Sequence, residues 1–466
     1  MNMMMAVLYV CAGAGVAAAP PHAEEGPLSR HPAYEARGER VPDFASMVTI
    51  RAPEEPEVVA RLERVSTVVP WPRGLAFVDG DLIALARGRH RSGGGVPDDF
   101  DDLAGTLFRI DPSIAEPVEP GVPAGESVRS NGEVFAAPTS PPFFPFSFDR
   151  AAEEDRLMDR PYCGLAFDAR SRNLVVCSFA GAELDGGRRF RKHATDALHR
   201  FDLRDRTWRV LEQHDHTVVP EEALGSVISN TYYPHHDPAR HDPPHGWLNG
   251  PTGCAVVGDF LYATSKDNHL VVQYDLTEIR RRPDAPPPGG RPVLGPFVML
   301  DLPDGPRETE VLGAAAVSAF GGHLYIGYRT SSVVIRVPID DRGDLVSGAP
   351  AELIAIFEPW SIESGRSGDM FDMTFNSRGD LFVAMAREGR VWRVQPDPAR
   401  VFYGNDRSGR PLSAPPFIDI GPMTGQRGGA GNLAVDDHDR LYVCTRNDDA
   451  EQGVLVGTIY RTATRP

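Results

Sequence analysis

Residues Thr252–Lys266 read TGCAVVGDFLYATSK: a short apolar run, a turn at Gly258 and Asp259, and a second apolar run that opens on Leu261. Five other stretches repeat this pattern. They are RGLAFVDGDLIALAR from Arg73, CGLAFDARSRNLVVCSF from Cys163, GAAAVSAFGGHLYIGYR from Gly313, FDMTFNSRGDLFVAMAR from Phe371 and GNLAVDDHDRLYVCTR from Gly431. The leucines that open each second run are Leu82, Leu174, Leu261, Leu324, Leu381 and Leu441, and their wider spacing in the first half places the insertions there. Runs of four to eight apolar residues bounded by Gly, Asp and Asn are strands joined by tight turns. They are apolar on both faces, as in sheets stacked against other sheets.

Each unit continues into a third strand: TLFRID, LHRFDL, LVVQYDL, VVIRVPI, RVWRV and TIYRT. WRVLEQ, FVMLDL, LIAIFEP and FIDIG are expected as fourth strands. The sixth unit ends at Pro466 after its third strand, while VARLERVSTVV precedes the first unit with no partner of its own. The expected fold is therefore all-β: a six-bladed β-propeller over residues 58–466, its ring closed by an N-terminal strand joining the last blade. Long insertions are expected at about 111–160 and 214–250.

The 466 residues carry 48 basic and 65 acidic side chains, a net charge of −17, which argues against a nucleic-acid partner. Glycine (46) and proline (43) are in excess, as a turn-rich fold requires. Residues 1–19 read as a signal peptide, with Met3 to Ala19 apolar and rich in small residues, followed by a polar segment over 20–57. Export to the periplasm or the extracellular space, no membrane span after signal removal and a monomeric state are the matching expectations. Cys163, Cys177, Cys254 and Cys444 lack CxxC spacing, so they read as small buried side chains, with a Cys163–Cys177 bridge as the alternative in an exported chain.

Units such as PTGCAVVGDFLYATSKDNHLVVQYDL (251–276) resemble the NHL-repeat pattern. The resemblance covers roughly residues 60–466 and extends to the six-bladed propeller superfamily that includes gluconolactonase-like hydrolases, strictosidine-synthase-like proteins and soluble sugar dehydrogenases that use pyrroloquinoline quinone. It implies the architecture and leaves the chemistry open.

Chemistry in such a ring is expected at one mouth of the central channel. Five residues past each aligned leucine stand Arg87, Lys266, Arg329 and Arg446, with Phe179 and Ala386 in the other two units and Arg387 one step after Ala386. Lys266 is one of two lysines in the chain, with Lys192. These cations are expected to form a collar for an anionic small molecule or partner, or to make salt bridges between blades. Gluconolactonase-like relatives hold a divalent metal with Glu, Asn and Asp, and the comparable residues are Glu310, Asp372 (or Asp369), Asn432 and Asn249. Oxygen ligands of that kind suit Ca2+. The first two inner strands open instead on Arg73 and Cys163, which supply no oxygen.

Six histidines lie within 214–245, among them His214, His216, His235 and His245. His245, nearest the third inner strand, is the candidate catalytic base, together with Asp372. SPPFFPFSFD (140–149) is expected to pack outside the first blade, with a lid over the channel as the alternative. Three functions are open at this point. The first is a binding propeller for an anionic small molecule or protein partner; the others are a metal-dependent lactone or ester hydrolase and a quinone-dependent sugar dehydrogenase.

Overall fold

The computed structural model describes residues 42–53, 60–86, 105–137, 162–178, 182–184, 190–192, 195–215, 248, 250–266, 269–282, 289–358, 370–386, 388–406, 409–425, 428–449 and 454–463. Among them, six sheets contain four or more strands each. The first comprises Pro72–Val78, Asp81–Ala86, Leu107–Ile110 and Glu133–Ala136. The second comprises Tyr162–Asp168, Asn173–Ser178, Thr195–Asp202 and Thr207–Asp215, and the third Pro251–Val257, Phe260–Ser265, Leu270–Asp275 and Arg291–Leu294. Ala314–Phe320, His323–Tyr328, Val333–Pro338 and Ala351–Ile356 build the fourth. Met370–Phe375, Leu381–Met385, Arg390–Val394 and Ile418–Asp419 build the fifth. In the sixth, Gly428–Val435, Leu441–Asp449 and Val454–Thr462 are followed by Leu62–Ser66 and then Glu116–Pro117.

The repeat register holds at the level of residues. Each aligned leucine is the first or second residue of the second strand of its sheet and is fully buried. The tightest turns follow from local sequence: Asp79 and Gly80 both take positive φ (53° and 91°), as do Gly321 and Gly322 (57° and 74°), the geometry that matches the twist of a two-residue hairpin.

Because the strands are apolar on both faces, each sheet buries one face against the sheet before it and the other against the sheet after it. Leu85 and Leu107 meet Leu165 and Val176 between the first and second sheets. Cys177 and Leu198 meet Leu261 and Val272 between the second and third. The series runs on through the remaining sheets to a cluster in which Tyr442, Cys444 and Ile459 of the sixth meet Leu75, Leu82 and Ala84 of the first. The six innermost strands likewise contact one another in sequence, and the last of them contacts the first. This is a β-propeller.

Two expectations need correction. FVMLDL is not the fourth strand of the third sheet. Arg291–Leu294 takes that place, anchored where Arg291 Nε donates to Gln273 Oε1 at 2.7 Å and pairs with Asp344 at 2.9 Å. Phe297–Asp301 instead runs parallel to Ala351–Ile356 and extends the fourth sheet, with Arg307–Glu310 beyond it. The segment taken as an insertion from 111 also builds sheet, since Glu133–Ala136 completes the first and Glu116–Pro117 edges the sixth. Ion pairs join neighbouring sheets at their hairpin-turn end, with Arg172 on Asp79 at 2.6 Å, Arg170 on Asp259 at 2.6 Å and Arg280 on Asp168 at 2.9 Å. No helix among the described residues is long and apolar enough to cross a membrane.

Candidate functional site at the entry of the inner strands

At the end opposite those turns, every innermost strand carries one extra residue against its neighbour. The register shifts fall between Pro72 and Leu75, Cys163 and Leu165, Pro251 and Cys254, Ala314 and Ala316, Met370 and Asp372, and Ala430 and Leu433. A bulge of this kind bends the strand and re-aims side chains. Aligned on these bulges, the first three sheets place Gly74, Gly164 and Gly253 where the fourth has Ala316, the fifth Asp372 and the sixth Asn432.

The glycines serve close approach. A Cβ on Gly164 would lie 2.7 Å from the Thr252 carbonyl oxygen, and one on Gly253 2.7 Å from that of Ala315. Where the ring reaches Asp372, a carboxylate makes the junction instead. Its Oδ2 accepts from the Leu433 N–H at 2.8 Å and from Asn432 Nδ2 at 3.1 Å, both on the sixth sheet, and its Oδ1 accepts from the Met373 N–H at 2.9 Å. Asp372 lies deep in the molecule yet keeps partial access to solvent, as a group lining a central channel does. Burial raises its pKa to about 6, against the opposing effect of the two backbone N–H donors and the Asn432 amide.

Asn432 is 3% exposed, and its Oδ1 has no hydrogen-bond partner among the described residues. Its backbone N–H donates to Cys444 Sγ at 3.1 Å, and that thiol in turn donates to the Pro72 carbonyl oxygen of the first sheet at 3.1 Å. Burial pushes the Cys444 thiol up to about 12, while Arg73 acts in the opposite direction and Asp372 in the same one. Arg73 and Asp372 therefore share a neighbourhood. The Arg73 guanidinium carbon stands 4.3 Å from the ring centre of Phe371 and 5.2 Å from that of Trp71.

The expected site residues are partly brought together. Asp372 and Asn432 are in contact. Glu310 ends the Arg307–Glu310 strand opposite Phe297, and no hydrogen bond or ion pair among the described residues joins it to either. Lys266 and Arg329, both half-buried, stand one residue beyond their second strands, where their N–H groups donate to Gly250 and Gly313. Arg446 is cross-strand from Gly429. All three backbone positions lie at the bulge end of the sheets. Arg87, Arg387, Asn249, His245, Asp369, the other loop histidines from His216 onward and the 140–149 run lie outside the described residues.

No three His, Cys, Asp or Glu side chains among the described residues converge as a metal-binding group. Asp372 and Asn432 offer two oxygen donors where Ca2+ takes six to eight, and the Arg73 guanidinium beside them is itself positive. Asn249, another of the expected ligands, lies outside the described residues, and no step below passes through a metal. Cys163 and Cys177 are cross-strand partners and both are free thiols. Burial, then the Cys254 thiol that hydrogen-bonds it, raises the Cys177 pKa well above the ordinary thiol value.

No protein-family model and no curated protein matches the chain. Among solved structures it is similar to an aldose sugar dehydrogenase from Streptomyces coelicolor in its PQQ-bound form, at 14% identity over 88% of this chain and 100% of that one, with a TM-score of 0.43. It is also similar to the calcium-binding protein regucalcin from Agrobacterium tumefaciens (13% identity, 86% and 93% covered, TM-score 0.41). A gluconolactonase from Xanthomonas campestris gives 13% identity, 89% and 95% covered, and a TM-score of 0.39. The likeness is to gluconolactonase-like and sugar-dehydrogenase propellers. At this distance it carries no activity to this chain, whose site rests on its own residues.

Proposed function

We propose that the chain is a six-bladed propeller, closed by Leu62–Ser66, that binds a hydroxylated, anionic small molecule where its inner strands begin. The observation that carries this reading is the buried Asn432 Oδ1, without a hydrogen-bond partner among the described residues, beside the partly accessible Asp372 carboxylate. A buried acceptor left unsatisfied costs about 1–3 kcal/mol, which a ligand hydroxyl donating to it recovers. Asp372 Oδ1 accepts one protein hydrogen bond and retains a second lone pair for the same ligand. Lys266, Arg329 and Arg446, at the same end, supply the positive potential that draws in an anion. Six sheets and the antiparallel pairing of Leu62–Ser66 with Val454–Thr462 support the closed ring.

The pKa of Asp372 favours one second reading, hydrolysis of a lactone or ester. A carboxylate near 6 is an effective base close to neutral pH. It would take a proton from water as the water oxygen bonds to the carbonyl carbon, and return it to the leaving alkoxide as the C–O bond breaks.

A thermal-shift panel of sugar acids, lactones and pyrroloquinoline quinone tests both readings, with product release from the lactones followed in parallel. Sugar acids or lactones are expected to raise Tm in a concentration-dependent way that Asn432→Ala removes. A flat panel, or a shift that Asn432→Ala and Asp372→Asn leave intact, would contradict the site.

A further inference from the structure

Cys163 and Cys177 stand directly opposite each other on the first two strands of the second sheet, so their side chains point to one face. That face meets the third sheet, where Cys177 packs with Leu261 and Val272. Cys254, on the innermost strand of the third sheet, reaches back toward it. Its Sγ lies 3.8 Å from the carbonyl oxygen of Val175, two residues before Cys177, and its thiol hydrogen-bonds that of Cys177. Three thiols thus gather at one boundary between sheets, none of them in a disulfide. They differ in access. Cys163 and Cys177 are 1% and 0% exposed, whereas Cys254 is half-buried. A reagent in solution therefore meets Cys254 first, with Cys177 directly behind it.

We infer that Cys177 and Cys254 are a redox pair whose disulfide ties the second sheet to the third, with a small-molecule disulfide as the oxidant. The Cys254 thiolate attacks one sulfur of the oxidant, whose S–S bond breaks, and one thiolate leaves, so that Cys254 carries a mixed disulfide. The Cys177 thiolate then attacks Cys254 Sγ, forming the Cys177–Cys254 bond and expelling the second thiolate. Two cysteine thiols are oxidised, one disulfide is reduced to two thiols, and the two cysteine protons pass to the leaving thiolates. Burial, then the neighbouring Cys254 thiol, holds the Cys177 pKa well above the ordinary thiol value, which makes the second step the slow one. The bond closes a long loop, from 177 to 254, and so restricts the unfolded chain. It requires no ligand at Asn432 and stands whatever binds there.

The test treats the full chain with oxidised glutathione, stops the reaction in acid, alkylates the remaining thiols and locates the disulfides by peptide mass mapping. Glutathione is expected on Cys254 first, and to leave as a peptide pair joining Cys177 to Cys254 accumulates, the intact chain then being two hydrogens lighter than the reduced one. Dithiothreitol reverses the change. Cys177→Ala is expected to stop at the mixed disulfide, Cys254→Ser to take up no glutathione at this boundary, and Cys163→Ala to form the bond as the wild type does. The bonded protein is expected to melt about 5 °C above the reduced one. A bond joining Cys163 to Cys177, a glutathione adduct that persists on wild-type Cys254, or three thiols that stay unreacted overturns the pair. Equal melting temperatures overturn its role as a tie between sheets. Mapping of the wild type decides the pairing even where a variant fails to fold.

Discussion

Asp372 joins two sheets and titrates near physiological pH, and these properties have one origin. The junction buries the carboxylate, and burial disfavours its charge more than three hydrogen bonds favour it. Its folded pKa of about 6 stands above the ordinary 3.8, so the folded state holds the proton more tightly than the unfolded chain. The stability this group contributes is present below pH 3.8 and is lost as pH rises through about 6, on the order of 2–3 kcal/mol. His199 has the opposite sign. Burial lowers it from 6.5 to about 3, so its contribution is present above pH 6.5 and is lost as pH falls. The two windows overlap, and the informative quantity is a difference between proteins. Denaturant titrations at pH 4 and pH 7 are expected to show that Asp372→Asn removes the part of the wild-type change that favours low pH, His199 being common to both. An identical pH response in the two proteins would mean that Asp372 is not titrating in the fold.

Among the elements, the hairpins were legible in the sequence and the bulges were not. The aligned leucines fix the second strands because an apolar residue opening a strand after Asp-Gly or Gly-Gly has one register that buries it. An extra residue in the first strand leaves no such mark. Asp372 and Asn432 stand nine residues before their leucines whereas Gly74 and Gly253 stand eight and Gly164 ten, since the turns between them differ in length, and only pairing shows that these positions correspond. For that reason Arg73 appeared as a missing oxygen ligand, and its stacking on Phe371 was out of view.

FVMLDL was misplaced because an alternating strand states which face is buried but not which sheet it joins. Leu62–Ser66, proposed to close the ring, is the element whose role is easiest to isolate. Arg64 pairs with Tyr460, and its guanidinium, almost wholly buried, meets Glu116 at 2.8 Å. Arg64→Pro removes the ladder bond and the ion pair together, and a loss of about 3 kcal/mol or more is expected in chemical unfolding. An unchanged midpoint would show that Leu62–Ser66 does not close the ring.

Over the whole molecule, a net charge of −17 coexists with cations at both ends of the sheets. At the hairpin-turn end, arginines such as Arg170, Arg172 and Arg280 are matched by Asp259, Asp79 and Asp168 across sheet boundaries. The Arg170 and Arg172 pairs are exposed and individually weak, whereas Arg280 and Asp168 are largely buried; all three fix neighbouring sheets in register. At the bulge end, the junctions are made by buried groups instead: Thr252 on the Ala315 carbonyl, Cys444 on that of Pro72, and Asp372 on Leu433. One end of the sheets is thus joined by ion pairs between turns, and the other carries a buried acceptor, a partly accessible carboxylate and a stacked guanidinium. The most direct measurement is a crystal structure of the protein soaked with gluconate. A gluconate hydroxyl within about 3 Å of Asn432 Oδ1 is the expected result. Gluconate bound elsewhere, or Asn432 Oδ1 already taken by a protein donor, would contradict the account.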